Sequence, residues 1–233
     1  MGSNSPRAAV ARRRSNGRRR ALCSLLLLLA GCATSTNVDP LLANVPAASS
    51  QVVVVRPLAA GSIQAAVTGH ERTPQGWRCV LGPLPAVVGR SGVIAGEQKR
   101  EGDGHTPCGV YPFGLAFGYA PTLATGLRYR QATGDDYWVD ESTSPHYNQW
   151  VTGKPAVSAE QMRRDDDQYA MGAVLEYNTR PVVPGRGSAI FLHVWKGPAE
   201  PTSGCVALAT GDVQGLLRWL QAEKLPVVVV VEG

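Results

Sequence analysis

The chain has 233 residues, of which 44% are hydrophobic, and a formal net charge of +5. Seven of the 23 lysines and arginines, but none of the 18 acidic residues, lie in residues 1–31, so the rest of the chain carries 16 basic and 18 acidic residues, a net charge of −2. A chain with no basic block after residue 31 lacks the electrostatic footprint of a nucleic-acid-binding protein, and we exclude nucleic acid as a partner.

The first 31 residues have the pattern of an export signal. Arginines at positions 12–14 and 18–20 precede an apolar run at 25–30 that is too short to span a bilayer. The run ends in Leu29-Ala30-Gly31-Cys32, which resembles a bacterial lipobox. We therefore predict a lipoprotein signal peptide at 1–31, a lipid on Cys32, and an exported periplasmic or cell-envelope lipoprotein that is membrane anchored. The alternative is a chance cysteine after a signal.

The remaining chain is predicted to contain one folded domain behind a tether. Residues 32–50 are rich in Ala, Ser, Thr, Asn and Pro, which is typical of a flexible tether, and residues 51–233 are long enough for one domain. That domain holds three cysteines, an odd number. A disulfide between Cys79 and Cys108 would leave Cys205 free for chemistry, and two unpaired buried cysteines are the alternative.

Short apolar and β-branched runs between turn signals predict a series of strands at 52–55, 62–67, 86–87, 93–95, 172–177, 188–194 and 226–231. The last of these runs is apolar on both faces, so we expect a central, covered strand. Helical patterns are fewer: one lies at 158–164, and another at 213–223 follows the capping sequence Thr210-Gly211-Asp212. The apolar face of the second helix is expected to pack on the domain's own core.

One segment combines a histidine and a cysteine. The predicted strand 188–194 carries His193, and the chain returns after a turn with Thr202-Ser203-Gly204-Cys205. A hairpin-like return would bring imidazole and sulfur within about 3–4 Å, where the imidazole lowers the thiol pKa from about 8.5. Gly204 permits a tight turn, and the amides of Gly204 and Cys205 would then stabilise an oxyanion. A structural cysteine beside a core histidine is the alternative.

These residues resemble the catalytic motif of the L,D-transpeptidase family, also called the YkuD family, in which a histidine precedes a loop and Ser/Thr-x-Gly-Cys. The following Val206-Ala207-Leu208 is similar to one bacterial branch, and residues 99–111 are similar to the family's KxxxGDGxTPxGxF-like signature. The resemblance implies a mostly β, sandwich-like domain with a few short helices. It also implies a cysteine-dependent acyltransferase that acts on peptidoglycan stem peptides through Cys205 and His193, without a cofactor or metal.

Two rival functions remain open. The same Cys/His pair would serve an L,D-carboxypeptidase or endopeptidase, in which water replaces the acceptor amine. A non-catalytic, wall-binding lipoprotein would give the pair a structural role only.

The resemblance has two departures. Ser203 and Ala207 stand where many family members carry histidine and arginine. His193 must then be oriented by a backbone carbonyl or by the hydroxyl of Thr202 or Ser203, and Arg100 or another basic group must bind a substrate carboxylate. By resemblance to the branch, Tyr177 and Asn178 line the cleft.

Three other segments carry side chains of types that often have functional roles. His105 is predicted to be a solvated loop histidine. The aromatic stretches at 137–141 and 144–150 suit either glycan and peptide binding or core packing. The run Arg163-Arg164-Asp165-Asp166-Asp167 is interpreted as a solvated, mutually neutralised face rather than a metal site.

Overall fold

The computed structural model describes residues 1–2 and 40–232. The predicted signal peptide beyond residue 2, Cys32 and the tether up to residue 39 lie outside the described residues. Within the described part of the chain, no helix is long and apolar enough to cross a membrane.

Most of the regular structure is β. In chain order, the strands of the described residues are β1 Gln51–Pro57, β2 Gln64–Thr73, β3 Gly76–Val87, β4 Val93–Ala95, β5 Thr106–Gly118, β6 Tyr129–Gln131, β7 Asp136–Val139, β8 Trp150–Thr152, β9 Ala159–Gln161, β10 Met171–Leu175, β11 Phe191–Val194, β12 Val206–Leu208 and β13 Val227–Val230. The α-helix α1 is Thr210–Trp219, and 3-10 helices lie at Pro40–Asn44 and Ala222–Lys224.

The strands form one large sheet and one small sheet. The large sheet has the order β10-β11-β12-β3-β2-β1-β13-β5-β4, with β6 beside β5, and β10 also pairs with β5. This extra pairing folds the sheet over, so that its two halves face each other across the main core. The small sheet has the order β8-β7-β9. The prediction of a mostly β, sandwich-like domain is confirmed.

Valines of β1 and β13 supply two apolar layers. Alternate side chains of a strand point to opposite faces, so Val53 and Val55 enter the main core while Val52 and Val54 pack outside it. There they meet Leu42, from the 3-10 helix Pro40–Asn44. β13 lies between β1 and β5 and is fully buried, as predicted for a central strand. The predicted tether at 32–50 is therefore too long at its C-terminal end, because residues 40–50 belong to the folded body.

One predicted helix is confirmed and one is wrong. α1 packs Val213, Leu216 and Leu217 into the main core, as expected, although it begins at Thr210 and no side chain caps it. Residues 158–164 are not helical. Their central part is β9, which pairs antiparallel with β7, so sheet pairing overrides the local helical pattern.

The predicted disulfide is also wrong, because Cys108 is a free thiol. Cys79 lies on β3 and Cys108 on β5, with β2, β1 and β13 between them. A disulfide requires Cα atoms within about 7 Å. That is less than two strand spacings of about 4.8 Å each, so the sheet order excludes this pairing.

Strands β11 and β12 place the catalytic candidates. They run parallel, with His193 opposite Ala207. Leu192 and Val206 point into the main core, so the alternating pattern puts His193 and Cys205 together on the other face. The small sheet and its flanking residues cover that face.

Candidate active site

Cys205 is held inside the protein by backbone groups. Cys205 is only 6% exposed. The sulfur accepts a hydrogen bond from the amide of Phe191 at 3.3 Å and donates one to the carbonyl of Ala189 at 3.2 Å. A donated S–H bond requires a protonated thiol. Burial also raises the pKa of this thiol, so Cys205, the candidate nucleophile, is neutral in this closed structure.

The turn before Cys205 is organised by a threonine. The hydroxyl of Thr202 donates to the carbonyl of Cys205 at 2.7 Å and accepts the amide of Gly204 at 3.1 Å. Thr106 adds a second hydroxyl donor to the Cys205 carbonyl at 3.3 Å. The amide of Gly204 is thus already paired, whereas that of Cys205 makes no hydrogen bond to another described residue. Of the two predicted oxyanion donors, Cys205 N–H is the available one.

His193 is buried, with 3% of the residue exposed. Its Nδ1 lies 2.8 Å from the carbonyl oxygen of Val194. A carbonyl only accepts, so Nδ1 carries the proton of the neutral ring and Nε2 carries its lone pair. The backbone carbonyl of Gln168 is a second hydrogen-bond acceptor beside the imidazole. The orienting group is therefore a backbone carbonyl and neither Thr202 nor Ser203. The ring of Tyr169 also packs nearly perpendicular to the imidazole, with centroids 5.1 Å apart.

The protonation states oppose the expectation of an activated thiolate. Burial, and then the charge of Glu160, raise the pKa of Cys205 to about 12, although the Phe191 amide acts against them. Burial lowers the pKa of His193 to about 4, outweighing the carbonyl of Val194. The prediction of a lowered cysteine pKa is wrong for this closed structure, because the cover over both residues disfavours charge on either.

The hydrogen bonds of the described residues do not join imidazole and sulfur as the prediction expected: the sulfur bonds to Phe191 and Ala189, and Nδ1 bonds to Val194. Leu192 pairs with Val206, so Cys205 lies beside Phe191 and His193 is two residues further along the neighbouring strand. Strand geometry puts such diagonal neighbours about 8 Å apart at Cα. Both side chains nevertheless project from the same face of these strands.

Aromatic residues of the small sheet cover this face. Trp138 packs on Phe191 with ring centroids 5.0 Å apart. Asn148 accepts the amide of Ala189 at 3.0 Å and the indole N–H of Trp138 at 2.9 Å. Tyr147 is 2% exposed. Of the two readings of this aromatic segment, packing is the one that the structure shows.

The loop at 99–105 lies against the catalytic turn. Lys99 is buried, and its ammonium donates to Asp103 at 2.7 Å. Glu101 accepts the hydroxyls of Ser188, at 2.8 Å, and Tyr147. His105 is partly exposed, with Nδ1 3.7 Å from Asp103. This loop therefore braces the site through hydrogen bonds.

The three predicted substrate-binding residues do not reach the catalytic pair. Arg100 donates to the carbonyls of Glu97 and Lys99, within its own turn. The side chains of Tyr177 and Asn178 bond to backbone carbonyls of the loop at 183–187 and to that of Gly96. Both residues line a groove of about 1170 Å³ whose walls include neither Cys205 nor His193.

Three residues at the site carry no functional signal in the local sequence. Tyr169 contacts His193 and donates its hydroxyl to Glu160 at 2.6 Å. Arg164 stacks on the same tyrosine, 5.1 Å from guanidinium carbon to ring centroid. Arg164 was visible only as part of a charged run, and no spacing along the chain links any of the three to His193. Among the described residues, no group of His, Cys, Asp and Glu is placed to hold a metal.

Comparison with known proteins identifies the domain. A family model of the L,D-transpeptidase catalytic domain, YkuD, matches residues 52–230. A comparison with curated proteins gives no match. Among solved structures, the chain is similar to the helical cell shape determining protein Pgp2 from Campylobacter jejuni, at 16% identity and a TM-score of 0.42 over 79% of this chain and 48% of that one. The chain thus spans about half the length of that protein. Since the family match extends over well more than half of its residues, the chain belongs to the YkuD family of L,D-transpeptidase catalytic domains.

Proposed function

We propose that the protein is an L,D-transpeptidase that forms peptidoglycan cross-links or attachments through a thioester on Cys205. The observation that carries the proposal is the placement of His193 and Cys205 on one face of adjacent strands, within a YkuD domain. In this proposal, Nε2 of the neutral His193 ring is the base and the amide of Cys205 is the oxyanion donor at that face.

The reaction divides into two acyl transfers. His193 Nε2 takes the thiol proton, and the Cys205 thiolate attacks the carbonyl of the stem-peptide bond, while the Cys205 amide stabilises the oxyanion. Collapse breaks the C–N bond, and the imidazolium returns the proton to the departing amine. An amine of a second stem then attacks the thioester, His193 removes its proton, and the thiol is regenerated.

The closed structure adds a step before the chemistry. Cys205 and His193 are 6% and 3% exposed, so a peptide reaches the sulfur only after the covering residues move. The S–H bond to Ala189 must also break before the proton can pass to His193. In this proposal, substrate binding opens the way to the sulfur and activates the thiol together. Without substrate, the Cys205 thiol and the His193 imidazole are both neutral.

The test is mass spectrometry of stem peptides incubated with the full chain, Cys205→Ala and Cys108→Ala. Cys108 is the other free cysteine of the described residues and serves as the matched control. New cross-links with the wild type and Cys108→Ala, but none with Cys205→Ala, support the proposal. Equal processing by Cys205→Ala rules out the cysteine mechanism.

The same experiment separates the alternatives. Shortened stems without cross-links would assign the residues to an L,D-carboxypeptidase or endopeptidase with water as the acceptor. Unchanged stems, with peptide retained on the protein, would assign a wall-binding role in which the buried pair is structural.

The proposal includes export and a lipid anchor on Cys32, on the basis of the lipobox-like sequence that ends there. The wild type should incorporate labelled fatty acid and should fractionate with membranes. Cys32→Ser should lose the label, while Cys23→Ser, within the predicted signal, should keep it. Label retained by Cys32→Ser would contradict the anchor.

A further inference from the structure

Arg164 is a partly exposed cation beside the buried catalytic pair. Its guanidinium carbon lies 5.1 Å from the ring centroid of Tyr169, and that ring lies 5.1 Å from the ring of His193. The guanidinium is therefore within about 10 Å of the imidazole. Its side chain is 34% exposed, so it reaches solvent where His193 and Cys205 do not.

Asp166 fixes the orientation of the guanidinium. Its Nε and Nη2 donate to the two carboxylate oxygens of Asp166, at 2.8 and 2.7 Å. This two-point pairing fixes the plane of the group and leaves Nη1 without a hydrogen bond to another described residue. An oriented guanidinium with unused donors is suited to a second carboxylate.

The charges around the nucleophile single out the same residue. Lys99 and Arg164 both favour the Cys205 thiolate, whereas Glu160 opposes it. Lys99 is buried and committed to Asp103, and Glu160 is committed to the hydroxyl of Tyr169. Of the two cations, Arg164 is the one that solvent reaches.

The neighbouring strand β12 offers no cation beside His193. Ala207 lies directly opposite His193 in the register of β11 and β12. This part of the catalytic face therefore has a methyl group, while the Arg164 guanidinium stacks on Tyr169 beside the same histidine.

We propose that Arg164 binds a carboxylate of the donor peptide, with Asp166 as the residue that positions its guanidinium. The ligand is a peptide that carries a free carboxylate close to the carbonyl attacked by Cys205. The inference rests on the proposed acyl transfer at Cys205, and it assigns the carboxylate specificity of that reaction to one side chain.

The first test uses two stem peptides that differ only in this group, a carboxylate in one and a carboxamide in the other. The wild type should prefer the carboxylate by roughly 10- to 100-fold in kcat/KM, mainly through KM, as expected for one charge-assisted pair. Arg164→Gln should lose the preference. Arg163→Gln is the matched control, since Arg163 is an exposed neighbour that stacks on Tyr119 instead, and it should keep the preference.

The second test does not depend on wall chemistry. Iodoacetate and iodoacetamide have the same type of electrophilic carbon, but iodoacetate carries a carboxylate where iodoacetamide carries a carboxamide. Both must wait for the site to open, so the ratio of their alkylation rates at Cys205 does not depend on how often it opens. Arg164→Gln should lower this ratio several-fold, and Arg163→Gln should leave it unchanged. If Arg164→Gln does not fold, Arg164→Lys replaces it: the charge should preserve the alkylation ratio, while loss of the planar fork should reduce the peptide preference.

The outcomes distinguish this inference from the proposed function. Equal turnover of both peptides by the wild type, or a preference kept by Arg164→Gln, overturns the role of Arg164 and leaves acyl transfer standing. If no peptide is processed, acyl transfer fails and the alkylation ratio decides: an unchanged ratio in folded Arg164→Gln overturns the anion site as well.

Discussion

Replacing Gly204 with alanine tests the turn that carries the nucleophile. Gly204 has φ +151°, a conformation that residues with a Cβ rarely adopt. An added Cβ would lie 3.0 Å from the carbonyl oxygen of His105 and 3.2 Å from Cδ1 of Ile190. The backbone conformation costs about 1–3 kcal/mol. The close approach to a carbonyl adds about 1 kcal/mol, so the expected loss is about 2–4 kcal/mol.

Thermal unfolding measures this loss directly. A loss of about 3 kcal/mol in a domain of this size lowers Tm by roughly 6–12 °C. The control is Gly215→Ala in α1, where an added Cβ meets nothing within 4 Å and helix propensity adds about 1 kcal/mol of stability. Gly204→Ala should also lose activity, because a shifted turn displaces the Cys205 amide. A Tm equal to that of the wild type, with activity retained, would refute the argument that this turn requires glycine.

Substitutions at three further residues test charges and contacts around the site. His193 is buried as the neutral imidazole, with a pKa of about 4, so its contribution to stability is present above the unfolded-state pKa of about 6.5 and is lost as pH falls toward 4. Between pH 7 and pH 4, the free energy of unfolding measured in urea should therefore fall by about 3 kcal/mol less for His193→Gln than for the wild type. Asp136→Asn should lower the free energy of unfolding by about 2–3 kcal/mol, because side-chain donors surround that carboxylate; exposed Asp135→Asn should change it little. Tyr169→Phe should cost about 1–3 kcal/mol by removing the hydroxyl donor of Glu160, whereas Tyr169→Leu should also reduce peptide turnover, since it removes the ring beside His193.

The sequence patterns were sufficient for strands whose signal is local. The valine runs of β1 and β13 predicted both strands and the burial of β13. The pattern failed for β5, because prolines and glycines interrupt its thirteen residues, TPCGVYPFGLAFG, and hide the alternation. β9 was mistaken for a helix, since its pairing partner β7 is about twenty residues away and leaves no mark on the local sequence.

For the candidate site too, the sequence predicts only the residues that lie close together along the chain. Cys205 and His193 lie in one short segment, so spacing and motif sufficed to single them out. Tyr169, Glu160 and Arg164 approach them through packing of the small sheet and its flanking loop, which no local pattern reports. The same cover reverses the expected thiol activation, because the pKa of a buried group depends on what encloses it.

The S–H bond from Cys205 to Ala189 has a consequence for oxidative damage. Peroxide attacks thiolates, and stepwise oxidation to sulfenic, sulfinic and sulfonic acids begins only once the proton has left. A buried, protonated sulfur is therefore shielded in the closed structure. Under the proposed mechanism, it becomes vulnerable only in the interval in which the cover is open and His193 holds the proton. Brief exposure to peroxide should inactivate working enzyme faster than resting enzyme.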